Sequence, residues 1–158
     1  MTDVADIHAD IAALKEFAGA LTRYRHAQRE VIERGDYQIA ATRASLEEKA
    51  GQWRSLLAQR QADLAACQSA AAMDAETGGH PDCSAQAAAV REAQERLESI
   101  RRWQQRVEDG ASAFLGPASR FRNLLDVDLT RTENHLLAIV SGLEAARGVQ
   151  AGQSQGTR

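Results

Sequence analysis

The sequence predicts an all-α fold: a long antiparallel helical hairpin of coiled-coil type, or a four-helix bundle if the chain kinks near Gly35 and Gly116-Pro117. Three observations predict it. Apolar residues recur in steps of three and four on both sides of one glycine-rich interruption. The chain is rich in Ala, Leu, Glu, Arg and Gln, all strong helix formers. Proline occurs only twice, at Pro81 and Pro117, so little obstructs a long helix.

The first helix begins near Asp6. Ile7, Ile11, Leu14, Phe17, Leu21, Tyr24, Gln28 and Val31 follow the helical step and predict one buried stripe. Gly35-Asp36-Tyr37 is a weak point, because glycine costs a helix about 1 kcal/mol relative to alanine. The stripe resumes with Ile39, Leu46, Ala50, Trp53, Leu57 and Leu64 and ends near Ala72; Ile39, Leu46 and Trp53 stand one heptad apart.

Met73 to Cys83 holds Gly78-Gly79 and Pro81 and reads as the clearest loop. Asp82 or Ser84 can cap the helix that follows. Val90, Ala93, Leu97, Ile100, Trp103 or Gln104, and Val107 form its stripe. Gly110 and Phe114-Leu115-Gly116-Pro117 predict a second break. Phe121, Leu125, Leu129, Leu136, Ile139 or Val140, and Leu143 define the last helix. Residues 1–147 therefore form a single helical domain, and the Gly-, Gln- and Ser-rich 148–158 reads as a disordered tail.

A register follows from the loop. In an antiparallel hairpin the numbers of facing residues keep a nearly constant sum. If Cys67 faces Cys83, then Trp53 faces Leu97, Leu57 faces Ala93, Ala50 faces Ile100, and Leu46 falls opposite Gln104 beside Trp103. Large side chains then meet small ones. The interhelical core is accordingly Ile39, Leu46, Trp53, Leu57, Leu64, Val90, Leu97, Ile100 and Trp103. The same rule sets Leu125 near Arg25, Leu129 near Leu21, Leu136 near Leu14 and Leu143 near Ile7. A two-helix hairpin leaves half its apolar surface open, which implies a homodimer or a helical protein partner.

Cys67 and Cys83 flank the loop with no third cysteine to compete, which marks them as a candidate disulfide. Free thiols in a reducing cytosol are the other reading. His80 with Cys67, Cys83 and Asp82 matches no zinc framework, and no metal or cofactor is expected. Asp126 and Asp128 lie two apart on a helix and do not face one another. Gly78-Gly79 lacks the lysine and the strand of a phosphate loop. Glu133-Asn134-His135 has the wrong spacing for a Glu-x-x-His bundle metal motif. No catalytic residue is expected, and the chain reads as a non-enzyme.

Charge separates the remaining classes. The 19 basic and 22 acidic residues are interspersed and give a net charge of −3. That pattern reads as a solvated helical surface and argues against nucleic acid. Arg101, Arg102 and Arg106 around Trp103 read as a charged flank beside the seam. The acidic start, Met1 to Asp6, is not a secretory leader, and no stretch suits a membrane span. The expected location is the cytoplasm, or the exterior by a route that reads no cleavable leader.

The stretch from Ile7 to Val107, with Ala50-Gly51-Gln52-Trp53-Arg54-Ser55 at its centre, resembles the WXG-type secreted proteins. The resemblance implies a small helical hairpin that pairs into a four-helix dimer and is exported by type VII secretion or leads a larger toxin. The family sets Trp-X-Gly in the interhelical turn, whereas here Gly51 precedes Trp53 inside a helix and the turn lies at Gly78-Gly79. Tyr24 and Tyr37 also lack the acidic residue four positions on that marks export in many members. No site residue is carried over. The functional expectation is a helical interaction protein, an adaptor or secreted WXG-like protein working through a coiled-coil seam, or alternatively a cytoplasmic structural coiled coil or effector chaperone.

Overall fold

A computed structural model describes residues 4–74 and 82–155, and every described residue except Asp82 and Cys83 is helical. Helix α1 runs Val4–Asp74 and helix α2 runs Ser84–Asn123. A π-helical segment, Leu124–Leu129, follows directly and leads into α3, Thr130–Gln155. The architecture is an all-α helical hairpin in which α1 is the outgoing strand and α2 to α3 the return. Gly78-Gly79, His80 and Pro81 lie outside the described residues.

Both positions where the sequence allows a kink lie within helices. α1 passes through Gly35 unbroken, so the turn that a four-helix bundle would need there is absent. α2 likewise contains Pro117. Pro117 is exposed while Ala118 beside it is buried, so the missing amide donor falls on the solvent face. The return strand changes its winding later, at the π-helix. α3 runs on through Gly148 to Gln155. The alanine and glutamine content of that stretch supports helix through two glycines.

The start of α2 is fixed locally. The Ser84 backbone N–H donates to Asp82 Oδ1 at 2.9 Å, and Ala87 N–H donates to the Cys83 carbonyl at 3.0 Å. The first bond also holds the Asp82 carboxyl below the usual carboxylate range. Side-chain oxygens placed this way satisfy donors that a helix start leaves open.

The chain divides into two compact units. One comprises Met1–Gly35 with Leu115–Arg158, and the other Asp36–Phe114. In the Asp36–Phe114 unit the two strands are joined by a ladder of polar pairs and one covalent bond. Cys67 is bonded to Cys83 with Cα atoms 5.9 Å apart. Arg60 reaches Glu92 at 3.0 Å, Gln104 donates to Glu47 at 3.2 Å, and Arg43 grips Glu108 with two bonds of 2.7 and 2.6 Å. Each step back along α1 matches a step forward along α2. This is the register set by the cysteines, and it brings Trp53 level with Leu97.

In the Met1–Gly35 unit the ladder is displaced. The sequence register set Leu125 near Arg25, but Asp126 pairs with Arg29, Glu133 with Thr22 and Arg25, and Glu144 with Lys15. The return strand is about one turn further along α1 than a constant sum allows. Such a sum assumes equal residues per turn in both strands, and a π-helix takes more residues per turn than an α-helix. The π-helical segment acts in the observed direction but adds only about one residue, and the displacement is already present at Asp126 within it.

The core is narrow and rich in alanine. Ile11, Ala18, Ile32 and Ala50 are its buried members on α1; Val90, Ala93, Ala111, Ala118, Leu125 and Val140 are those of the return strand. Small residues let the two backbones approach closely while larger neighbours cover the edges. Leu125 alone among the large described side chains is fully enclosed.

Candidate functional site

The buried face of α1 follows an unbroken heptad. Ile11, Ala18, Arg25, Ile32, Ile39, Leu46, Trp53, Arg60 and Cys67 stand seven apart, and each is buried or half-buried. Val90, Leu97 and Ile100 line the matching face of α2, with Leu57 and Leu64 at its edge on α1. Trp103 does not join this core. It is 54% exposed, and Gln104 occupies the seam in its place. Gln104 stands seven residues from Leu97 and from Ala111, whereas Trp103 points one position outward. There the Arg106 guanidinium lies 5.1 Å from its ring centre. Arg60, within the seam, lies 5.7 Å from the Trp53 ring and donates to the Ala89 carbonyl at 2.8 Å.

Phe17, Tyr24 and Val31 also lie outside the buried face. They were expected in the buried stripe, yet they are 56, 48 and 57% exposed. The heptad positions beside them, Ala18, Arg25 and Ile32, turn inward instead. Arg25 is held in the seam by Glu133 at 3.2 Å and by Thr130 Oγ1, to which it donates at 2.8 Å. A half-buried ion pair of this kind, which leaves Arg25 Nε and Glu133 Oε2 without a hydrogen bond, fixes register more than it adds stability.

Phe17, Tyr24 and Val31 belong to a seam of their own. Ala13, Phe17, Ala20, Tyr24, Ala27 and Val31 alternate steps of four and three, and all six are exposed. Such spacing is what a second packed helix requires. The seam is bounded by Asp10 and Arg34, both exposed, and it does not continue: Gln38, Ser45, Gln52 and Gln59 hold the next positions of the Phe17 series.

The two flanks of this unit differ in chemistry. Lys15, Thr22 and Arg29, also seven apart, carry the links to the return strand. Phe17, Tyr24 and Val31 lie two residues beyond each of these, about 200° around the helix and therefore on the opposite flank. The return strand repeats the division. Leu125 and Val140 are buried; Asp126, which follows Leu125, takes the ion-paired side. Leu124 and Ile139, which precede the two buried residues, take the other side and are partly exposed, as is Leu143. One side of the unit is thus closed by charge, and the other is an open apolar strip along both strands.

The exposed carboxyls of the ladders are held in the charged form. Lys15 keeps Glu144 below its ordinary range by a hydrogen bond and its charge, and Arg43 does the same for Glu108. A lowered carboxyl pKa supports the fold near neutrality, and that support fades as pH falls through the lowered value. Solvent screening keeps each such contribution small.

A further surface feature among the described residues is Trp103 with Ser99, Arg102 and Arg106, a shallow and positively charged spot in the Asp36–Phe114 unit. Among the described residues no group of three His, Cys, Asp or Glu is placed to hold a metal ion, and no helix is long and apolar enough to cross a membrane. Comparison with protein-family models, curated proteins and solved structures returns no match.

Proposed function

We propose that this chain is a helical interaction protein that works by presenting the open apolar strip of the Met1–Gly35 unit to another helix. The single observation that carries this reading is the second seam. A six-residue run with coiled-coil spacing lies exposed on the same helix whose first seam is already closed. Exposed apolar residues scattered singly are ordinary, but a contiguous strip with packing periodicity marks an interaction site. The Cys67–Cys83 bond supports the exported, WXG-like form of the proposal over a cytoplasmic coiled coil or effector chaperone, since disulfides persist in oxidising compartments.

The test is a photo-activated cross-linking residue at Ala20, with the same residue at Ser55 as a control in the Asp36–Phe114 unit. Irradiation of the chain in its native cell is expected to give protein adducts at Ala20 and none at Ser55. An absence of adducts at Ala20, or equal yields at the two positions, would contradict the proposal. An adduct to any helical protein, a second copy included, supports it.

A further inference from the structure

We infer that the helix received by the open strip is the same strip of a second copy, docked antiparallel about a two-fold axis level with Thr22. This inference rests on the reading that the strip takes a helix, and it names the occupant. The observation is that the second seam is complementary to its own reverse. Along α1 it reads Asp10, Ala13, Phe17, Ala20, Tyr24, Ala27, Val31, Arg34. Reversed against itself in a two-fold arrangement, Phe17 meets Ala27, Tyr24 meets Ala20, and Val31 meets Ala13. Every large side chain faces an alanine, so the layers interdigitate at constant width. At each end Asp10 meets Arg34 of the second copy, an opposite-charge pair.

The parallel alternative lacks all of this. It would stack Phe17 on Phe17 and Ala20 on Ala20, with wide and narrow layers in turn, and would bring Asp10 against Asp10 and Arg34 against Arg34. A two-fold antiparallel contact is also closed, so it stops at a dimer and does not grow into a filament.

The surface available is enough. Phe17, Tyr24, Val31 and the three alanines, with Leu124, Ile139 and Leu143 beside them, offer on the order of 600 Å² per copy, close to the roughly 800 Å² per partner of a standard stable interface. The docked pair is a four-helix arrangement in which each α1 neighbours its own return strand and the other α1, all antiparallel. The charges on the outer rim do not block this approach. Arg23 lies back over Gly19, its Nη1 3.4 Å from where a β-carbon would stand there. Glu30, which comes near Glu16 of the second copy, is already paired with Arg34 of its own helix at 2.7 Å.

The test uses the purified full chain. Light scattering at micromolar concentration is expected to give the mass of a dimer. Phe17→Ala and Ala27→Phe are each expected to weaken the dimer about tenfold or more, and the two changes together to recover most of that loss, because residue 17 of one copy faces residue 27 of the other. Circular dichroism checks that each variant keeps its helix content. Ala13→Cys chains mixed with Val31→Cys chains are expected to form the mixed disulfide far faster than either forms one alone. A monomeric chain, a double variant no better than the single ones, or like-with-like cross-links in preference to mixed ones would each overturn the inference. If the chain is monomeric yet Ala20 captures a different protein in the cell, self-pairing fails and the interaction role stands.

Discussion

Leu125→Ala is expected to destabilise the chain by about 3 kcal/mol, within the range of roughly 2–5 kcal/mol for deletion of a buried leucine side chain. Leu125 is completely enclosed and is the single large described side chain of which this is true. It is also the second residue of the π-helical segment, where the return strand departs from α-helical winding. A narrow alanine-rich seam has few large groups that could move in to fill the space, so the cavity persists. Urea denaturation followed by circular dichroism reads the change directly. Leu124→Ala, one residue away and partly exposed, serves as the comparison and is expected to cost less than about 1 kcal/mol. Equal losses at the two positions would mean that the seam does not run through Leu125.

Removal of the Cys67–Cys83 bond by replacing both cysteines with serine is expected to cost about 3 kcal/mol, the chain-entropy value for a loop of this size. The bond ties α1 to the start of α2 beside the chain reversal and sets the first rung of the Arg60–Glu92, Glu47–Gln104 and Arg43–Glu108 ladder. These rungs are exposed ion pairs and hydrogen bonds, individually worth little, so the covalent link holds much of the register in that unit. Thermal unfolding with and without a reducing agent measures the effect. The melting temperature is expected to fall by several degrees on reduction, and an unchanged value would show that the bond is not formed.

The helical hairpin was legible because periodicity, composition and the Gly78-Gly79 interruption all pointed the same way. The register near the cysteines was legible too, since two half-cystines flanking a loop fix which residues face each other. Between Ile11 and Ile32 the reading failed for a definite reason. Two seams with the same spacing run side by side there, and the sequence stripe crossed from one to the other at Phe17. The buried positions hold Ala18 and Arg25, small and charged, while Phe17 and Tyr24 next to them look like core. Hydrophobicity favoured the wrong neighbours. The seven-residue series that ends on Cys67 was the signal that separates the seams, because it includes Ala18 and Arg25 and excludes Phe17 and Tyr24.

Trp103 failed in the same way, as a bulky residue taken for core one position from the true seam residue, Gln104. At Gly35 and Gly116-Pro117, where the sequence allows a kink, the helices run on. Local helix cost there is about 1 kcal/mol for a glycine and more for a proline, and packing along a continuous seam outweighs it. Nothing in local propensity marks Leu124–Leu129 for a π-helix. It sits where the buried positions of the return strand, Leu125, Leu129 and Glu133, open from alternating three-and-four steps to successive fours.

The claim on which the rest depends is that α1 carries two seams between Ile11 and Ile32, one closed by the return strand and one open. Thiol labelling of Ala18→Cys and Ala20→Cys, in chains diluted until monomeric, tests it most directly. The native cysteines are bonded and silent. The thiol at position 20 is expected to react at nearly the rate of a free peptide and the thiol at position 18 about a hundredfold slower, as befits a position that opens only on unfolding. Equal rates, or a slower reaction at position 20, would contradict it.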